Sequence, residues 1–255
     1  TLWCMHPDGS GKKQLTYAPS YADGIAWSPD GNWIAIHMRV TPGSHFKIYL
    51  LPAPGNVHGN EGDEAVNSSG PKQPQELLAG DQKNEGIPTW SPDSRRIAFG
   101  EMDGPTSYQG SGKEVIHIYD LVSGQRSFLP GKKGVWTARW SPNGRYIAAL
   151  TYDARQRLEL YDSKTQKWRD LDAEHINNPT WSHDSKYIYY NTQGAILDAG
   201  IFRVRIGDGK VELAAPYHGM RVADHTWSGL APDDSPIVLR DVGIQEIYAL
   251  DVRWR

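Results

Sequence analysis

One short phrase recurs five times and dominates what this chain can fold into. It reads Trp27-Ser28-Pro29-Asp30-Gly31, Trp90-Ser91-Pro92-Asp93-Ser94 and Trp140-Ser141-Pro142-Asn143-Gly144. A fourth copy, Trp181-Ser182-His183-Asp184-Ser185, lacks the proline. The fifth, Trp227-Ser228 then Ala231-Pro232-Asp233-Asp234-Ser235, carries an insertion of three residues. The tryptophans are spaced by 63, 50, 41 and 46 residues, and self-similarity at such a period marks a repeat architecture. Proline presets φ for the first turn position, Asp or Asn bonds back to its own backbone, and Gly accepts positive φ. Each copy runs into an apolar stretch such as Ile34-Ala35-Ile36 or Ile147-Ala148-Ala149-Leu150, so strand, turn, strand is the reading. The prolines and aspartates are therefore turn chemistry, not metal or catalytic groups.

A unit of four strands follows from this pattern. Its third instance runs Trp136–Trp140, Tyr146–Thr151, Arg157–Tyr161 and Trp168–Leu171. Units cover roughly 21–80, 84–130, 134–172, 175–215 and 221–255, after a partial unit at 1–20. One four-stranded sheet cannot bury both faces, whereas radial stacking of such sheets as propeller blades can. The expected fold is all-β: a single propeller domain over residues 1–255, of six blades with five or seven as alternatives. Each repeated tryptophan is expected to be buried between adjacent blades. The partial first unit implies that the natural polypeptide extends before Thr1 by at least about 30 residues, at usual strand and loop lengths. Two stretches break the period. Residues 52–74 are a Gly-, Pro- and Glu-rich loop expected to be mobile, and 101–114 form a second long loop bearing Tyr108.

Composition agrees. Ten Trp, thirteen Tyr, twenty-six Gly and seventeen Pro suit many short strands and turns. A net charge of −3 with no basic stripe argues against nucleic acid as a partner. Nothing approaches the roughly 20 apolar residues of a membrane span. The single cysteine, Cys4, excludes an internal disulfide and is expected to be a small buried hydrophobe.

At the Trp-Ser-Pro-Asp-Gly turns the chain resembles the TolB-type, WD-like β-propeller repeat, which also occurs in tricorn and prolyl-oligopeptidase-like protease propellers. Residues 2–16, Ile118–Gly124 and Leu160–Ser163 match that repeat's continuation. The stretch from Trp227 to Asp241, followed by Gln245–Leu250, resembles the closing blade of bacterial, typically acidobacterial, membrane signalling proteins. That likeness implies a periplasmic or extracytoplasmic location and a membrane anchor upstream, with no membrane insertion by this segment.

No Gly-x-Ser-x-Gly elbow is present, and Gly9–Lys12 and Gly110–Lys113 lack the phosphate-loop spacing. No cofactor and no metal are expected, and catalysis is not. The best polar cluster lies just ahead of the tryptophans, where first strands line a propeller's channel: Asp23, Glu85, Arg139, Asn177, Asn178, Asp224 and His225. These side chains form either a binding site or the wet wall of a channel, and Glu85 and Arg139 are candidates to neutralise one another. Tyr108, Tyr217 and His218 are candidate surface anchors, with Trp136 nearer to a packing role. The leading function is a non-catalytic scaffold or sensor that presents loops on one face to a protein or peptide. Alternatives are the gating propeller of a larger enzyme, such as a prolyl-oligopeptidase-like protease, and a channel-mouth sensor of small molecules or metals.

Overall fold

A computed structural model describes residues 2–6, 8–16, 21–54, 74–102, 111–192, 200–217 and 222–240, with the backbone alone at 102, 222–228 and 240. The expected mobile loop falls almost wholly outside them, as does Tyr108. All regular elements among the described residues are strands. After the hairpin β1 (Trp3–Cys4) and β2 (Lys13–Gln14) come four antiparallel sheets in chain order. The first comprises β3 (Tyr21–Trp27), β4 (Trp33–Arg39), β5 (Lys47–Pro52) and β6 (Gln75–Glu76). In the second, β7 (Asn84–Glu85) and β8 (Thr89–Trp90) together form the inner strand beside β9 (Arg96–Met102), β10 (Ile116–Asp120) and β11 (Arg126–Phe128). The third holds β12 (Val135–Trp140), β13 (Tyr146–Thr151), β14 (Leu158–Asp162) and β15 (Lys167–Asp170). The fourth holds β16 (Ile176–Trp181), β17 (Tyr187–Thr192), β18 (Gly200–Arg205) and β19 (Val211–Pro216). β20 (Val222–Leu230) and β21 (Pro236–Arg240) make a last hairpin. Inner strands β3, β8, β12, β16 and β20 lie against one another in sequence, which is a propeller-like arrangement.

The core sits between sheets, not within them. Ala35 and Ile48 of the first sheet pack with Trp90, Ile97 and Phe99 of the second. Ile116 and Ile118 join Val135, Ile147 and Tyr161 of the third, and Leu158 and Leu160 join Ile176, Trp181 and Val204 of the fourth. Leu15, with Leu2 and half-buried Cys4, packs on Ile34, Ile36 and Leu51, so the first hairpin covers the far face of the first sheet.

Each turn is built around its serine. Ser28, Ser91, Ser141 and Ser182 are buried. Every Oγ donates to the carboxylate or amide oxygen two residues on, at 2.5 Å for Asp30 and 2.8 Å for both Asn143 and Asp184. The same Oγ accepts the N–H five residues on, at 2.9 Å from Trp33, Arg96 and Tyr146 and 3.0 Å from Tyr187. In the fifth copy Ala231 takes the serine's place, and the three extra residues are absorbed into β20 as bulges at Trp227 and Gly229.

The turns also latch the sheets together. The position after Asp or Asn has positive φ in all five copies: Gly31 73°, Ser94 57°, Gly144 73°, Ser185 60° and Asp234 63°. Where it carries a side chain, it accepts an N–H from the preceding sheet's turn: Asp30 to Ser94 and Asn143 to Ser185, both at 3.0 Å, and His183 to Asp234 at 3.0 Å. Gly144 instead lies against Pro92.

Tryptophan burial is uneven, which corrects the expectation for Trp27. Trp90 is 6 % exposed and Trp181 8 %, and their Nε1 donate to Ala26 O and Arg139 O of the preceding inner strand at 3.0 and 2.9 Å. Trp140 is half-buried and donates instead to Gly144 O in its own turn, with Arg96 stacked on its ring at 5.0 Å. Trp27 is 43 % exposed, because β1 and β2 offer no inner strand to receive it. The side chain of Trp227 lies outside the described residues.

Candidate functional site

Every inner strand is interrupted shortly before its tryptophan. Pairing with the neighbouring strand shifts between Asp23 and Ala26, between Trp136 and Arg139, between Asn177 and Thr180, and between Val222 and Trp227. In the second sheet the interruption is complete: Pro88 has no N–H to give, and Gly86 N reaches Gly100 O at 2.7 Å. Three of the bulges hold a residue three positions before the tryptophan at positive φ: Gly24 at 56°, Thr137 at 52° and Asn178 at 48°. For Thr137 that conformation is strained, since its β-branch crowds the backbone, and its buried Oγ1 has no hydrogen-bond partner. Glycine is required at Gly24, where a Cβ would lie 2.8 Å from Ile87 Cγ2.

The bulges sort the expected channel residues. Asp23 Oδ1 lies 2.5 Å from His37 Nδ1, and His37 Nε2 lies 2.9 Å from Glu85 O. Both ring nitrogens therefore face oxygen acceptors, and the ring stacks on Phe46 at 4.8 Å. Glu85 is buried and accepts from Lys47 Nζ at 3.1 Å and Ile48 N at 2.8 Å, so it pairs within its neighbouring sheet and not with Arg139. Burial nonetheless pushes its carboxyl above the usual range, outweighing both donors.

Arg139 is partly accessible, and its Nη1 donates to Ala138 O at 2.9 Å. No carboxylate among the described residues lies within ion-pair reach of it. Surrounding protein atoms push its guanidinium down to about 10. Asn177 and Asn178 are half-buried on the next inner strand, and Asn178 O accepts from Thr180 Oγ1 at 3.4 Å. Asp224 and His225 lie on β20, whose backbone alone is described there.

The proposed anchors fare differently. Tyr108 and His218 lie outside the described residues. Tyr217 is half-buried with the Tyr189 and Ile201 cluster, and burial raises its hydroxyl pKa. Trp136 stacks on Tyr152 at 5.1 Å and joins the core.

Sequence reading missed His37 and Lys47. The signal was a polar residue inside the apolar run Ile34–Met38, where a fully buried strand side chain needs partners. Four His–carboxylate contacts are present among the described residues, His37–Asp23, His117–Glu101, His183–Asp234 and, longer at 4.0 Å, His175–Glu174. Among the described residues, no serine, threonine or cysteine side chain hydrogen-bonds to these imidazoles. Of these contacts, only His37–Asp23 involves an inner strand, where it fixes the Asp23 carboxylate.

Comparison with known proteins bears on the fold. Residues 124–155 match the model of the WD domain, G-beta repeat. The Tol-Pal system protein TolB of Alcanivorax borkumensis is 36% identical over 70 residues, 26% of this chain and 15% of that protein. The crystal structure of TolB from Acinetobacter baumannii aligns with 91% of this chain and 51% of its own, with a TM-score of 0.66 at 19% identity. The fold is that of a TolB-like β-propeller. A probable dipeptidyl-peptidase 5 of Aspergillus terreus is 30% identical over 152 residues, 55% of this chain. The matched stretch spans about 20% of that peptidase, so the likeness concerns one part of a longer protein.

Proposed function

We propose that this propeller is a non-catalytic binding domain whose inner strands receive a protein or peptide segment. Arg139 carries the reading. It is a cation on an inner strand, without a carboxylate among the described residues, beside the strained Thr137 and the amides of the next strand. A desolvated, uncommitted guanidinium is suited to a carboxylate or a backbone carbonyl of a bound segment. Asp23, Asn177, Asn178, Asp224 and His225 complete the proposed group. The likeness to TolB supports a protein partner and an extracytoplasmic location; a six-bladed ring and a membrane-anchored signalling parent are part of the same proposal. The test is selection of binders from a random peptide library, followed by titration against Arg139→Gln. Binding at least tenfold weaker in the variant, at unchanged melting temperature, is the expected result; undiminished binding removes the inner strands from the role.

A second reading is favoured by the dipeptidyl-peptidase likeness: the chain is then the accessory propeller of a larger hydrolase. An α/β-hydrolase segment in the same polypeptide distinguishes the two.

A further inference from the structure

We propose that a cleft between the third and fourth sheets, apart from the inner-strand group, binds an extended acidic peptide of a protein partner. It measures about 790 Å³, within the roughly 300–1,000 Å³ of ordinary ligand sites. It opens among the tryptophan turns, since Asn143, Arg145 and Lys186 line it beside the outer-strand residues Lys167 and Arg169. Its floor is apolar, made of Tyr146 and the buried side chains Leu160 and Ile206, while Trp168 turns its ring to the other face of its sheet and donates from Nε1 to Pro130 O at 2.7 Å.

The decisive feature is its charge. Arg145, Lys167, Arg169, Lys186 and Arg205 face the cleft against only Asp162 and Asp184, in a chain whose net charge is −3. Both carboxylates are committed: Asp162 to Arg145 at 2.8 Å and Asp184 to Lys186 at 3.0 Å. Arg205 is neutralised by Asp208 at 3.1 Å and Glu212 at 2.9 Å. Lys167 and Arg169 remain, exposed and with no carboxylate in ion-pair reach among the described residues. Arg169 Nη2 is held by Ile206 O, which fixes the guanidinium on the wall. Two uncommitted cations over an apolar floor match a chain that alternates carboxylate and apolar side chains. In an extended strand such carboxylates recur about every 7 Å, with the apolar groups turned to the other side. A polyphosphate fits worse, because it has no apolar groups to cover Tyr146, Leu160 and Ile206.

The experiment titrates the whole chain with a capped hexapeptide alternating Glu and Phe, at low salt, by calorimetry. Its Gln-for-Glu counterpart and an oligonucleotide of equal charge serve as comparisons. The acidic peptide is expected to bind at least tenfold more tightly than the Gln peptide and to weaken as salt rises. Lys167→Gln combined with Arg169→Gln should cost tenfold or more, while Lys113→Gln, an exposed cation outside the cleft, changes nothing. Should the loss of the Ile206 contact unfold the double variant, Lys167→Gln alone should still weaken binding several-fold. The proposal is overturned by no binding, by equal affinity for the Gln peptide, by tighter binding of the oligonucleotide, or by sensitivity to Arg139→Gln with the cleft variants silent. That last result would place the peptide on the inner strands and leave the proposed function standing.

Discussion

Single side chains in the turns do more than the turn type demands. Ser91 is fully buried, donates to Asp93 and accepts Arg96 N at 2.9 Å. Ser91→Ala therefore leaves a backbone N–H without its partner, at about 1–3 kcal/mol. Urea denaturation measures this; a change within error would mean that water replaces the hydroxyl. Ala231 at the same position of the fifth turn shows that the backbone itself accepts alanine. The aspartates predict acid sensitivity. The Ser28 hydroxyl beside Asp30 and the Ser91 hydroxyl beside Asp93 hold both carboxyls below the usual range, and Lys186 N with Ser182 does so for Asp184. A depressed folded pKa contributes stability above the unfolded value of about 3.9, lost as pH falls through the folded value. Asp93→Asn, which copies Asn143 of the third turn, should flatten the fall in melting temperature below about pH 4. An equally steep fall in the variant would assign acid loss to other groups.

At the scale of elements, the turn is both a hairpin tip and a hook. Ser94 sits at φ 57° and holds Asp30 N of the preceding sheet. Ser94→Ala keeps the strain and loses the hook; Ser94→Gly loses the hook and relieves the strain. Alanine should therefore be less stable than glycine by about 1 kcal/mol, with wild type above alanine. Equal variants, measured by chemical denaturation, would show that the positive φ costs nothing here. Inner strands show the same economy of position. Their bulges turn Thr137 and Asn178 into left-handed conformations, and Gly100 fits where a Cβ would meet Trp136 Cα at 2.9 Å.

Over the whole molecule, stability resides in contacts between sheets. Trp90 bridges two of them through Ala26 O, whereas Trp27 meets no inner strand of a preceding sheet. Trp90→Ala should cost about 3–5 kcal/mol, as for large core aromatics. Trp27→Ala should cost less than half as much, since much of that ring remains in water. Comparable losses in a denaturant series would mean that Trp27 is covered in the protein as it exists in solution.

The repeated phrase was enough to read the sheet composition, the strand order and the role of Pro, Asp and Gly, because turn geometry and two-residue alternation are local; the serine's part, an Oγ buried between the carboxylate and a later N–H, was not read from it. Pairing across sheets was not legible. Glu85 and Arg139 occupy comparable stretches of the repeat, yet Lys47 on a neighbouring strand captures Glu85 and leaves Arg139 without a carboxylate partner among the described residues. His37 was hidden in an apolar run until Asp23 and Glu85 O were brought to its two nitrogens. The cationic cleft has no motif at all. Arg145, Lys167, Lys186 and Arg205 come from different strands and turns of two sheets, and radial stacking alone brings them around one space. Local conformational preference travels with the sequence, whereas charge neutralisation depends on which partners the packing places within a few ångströms.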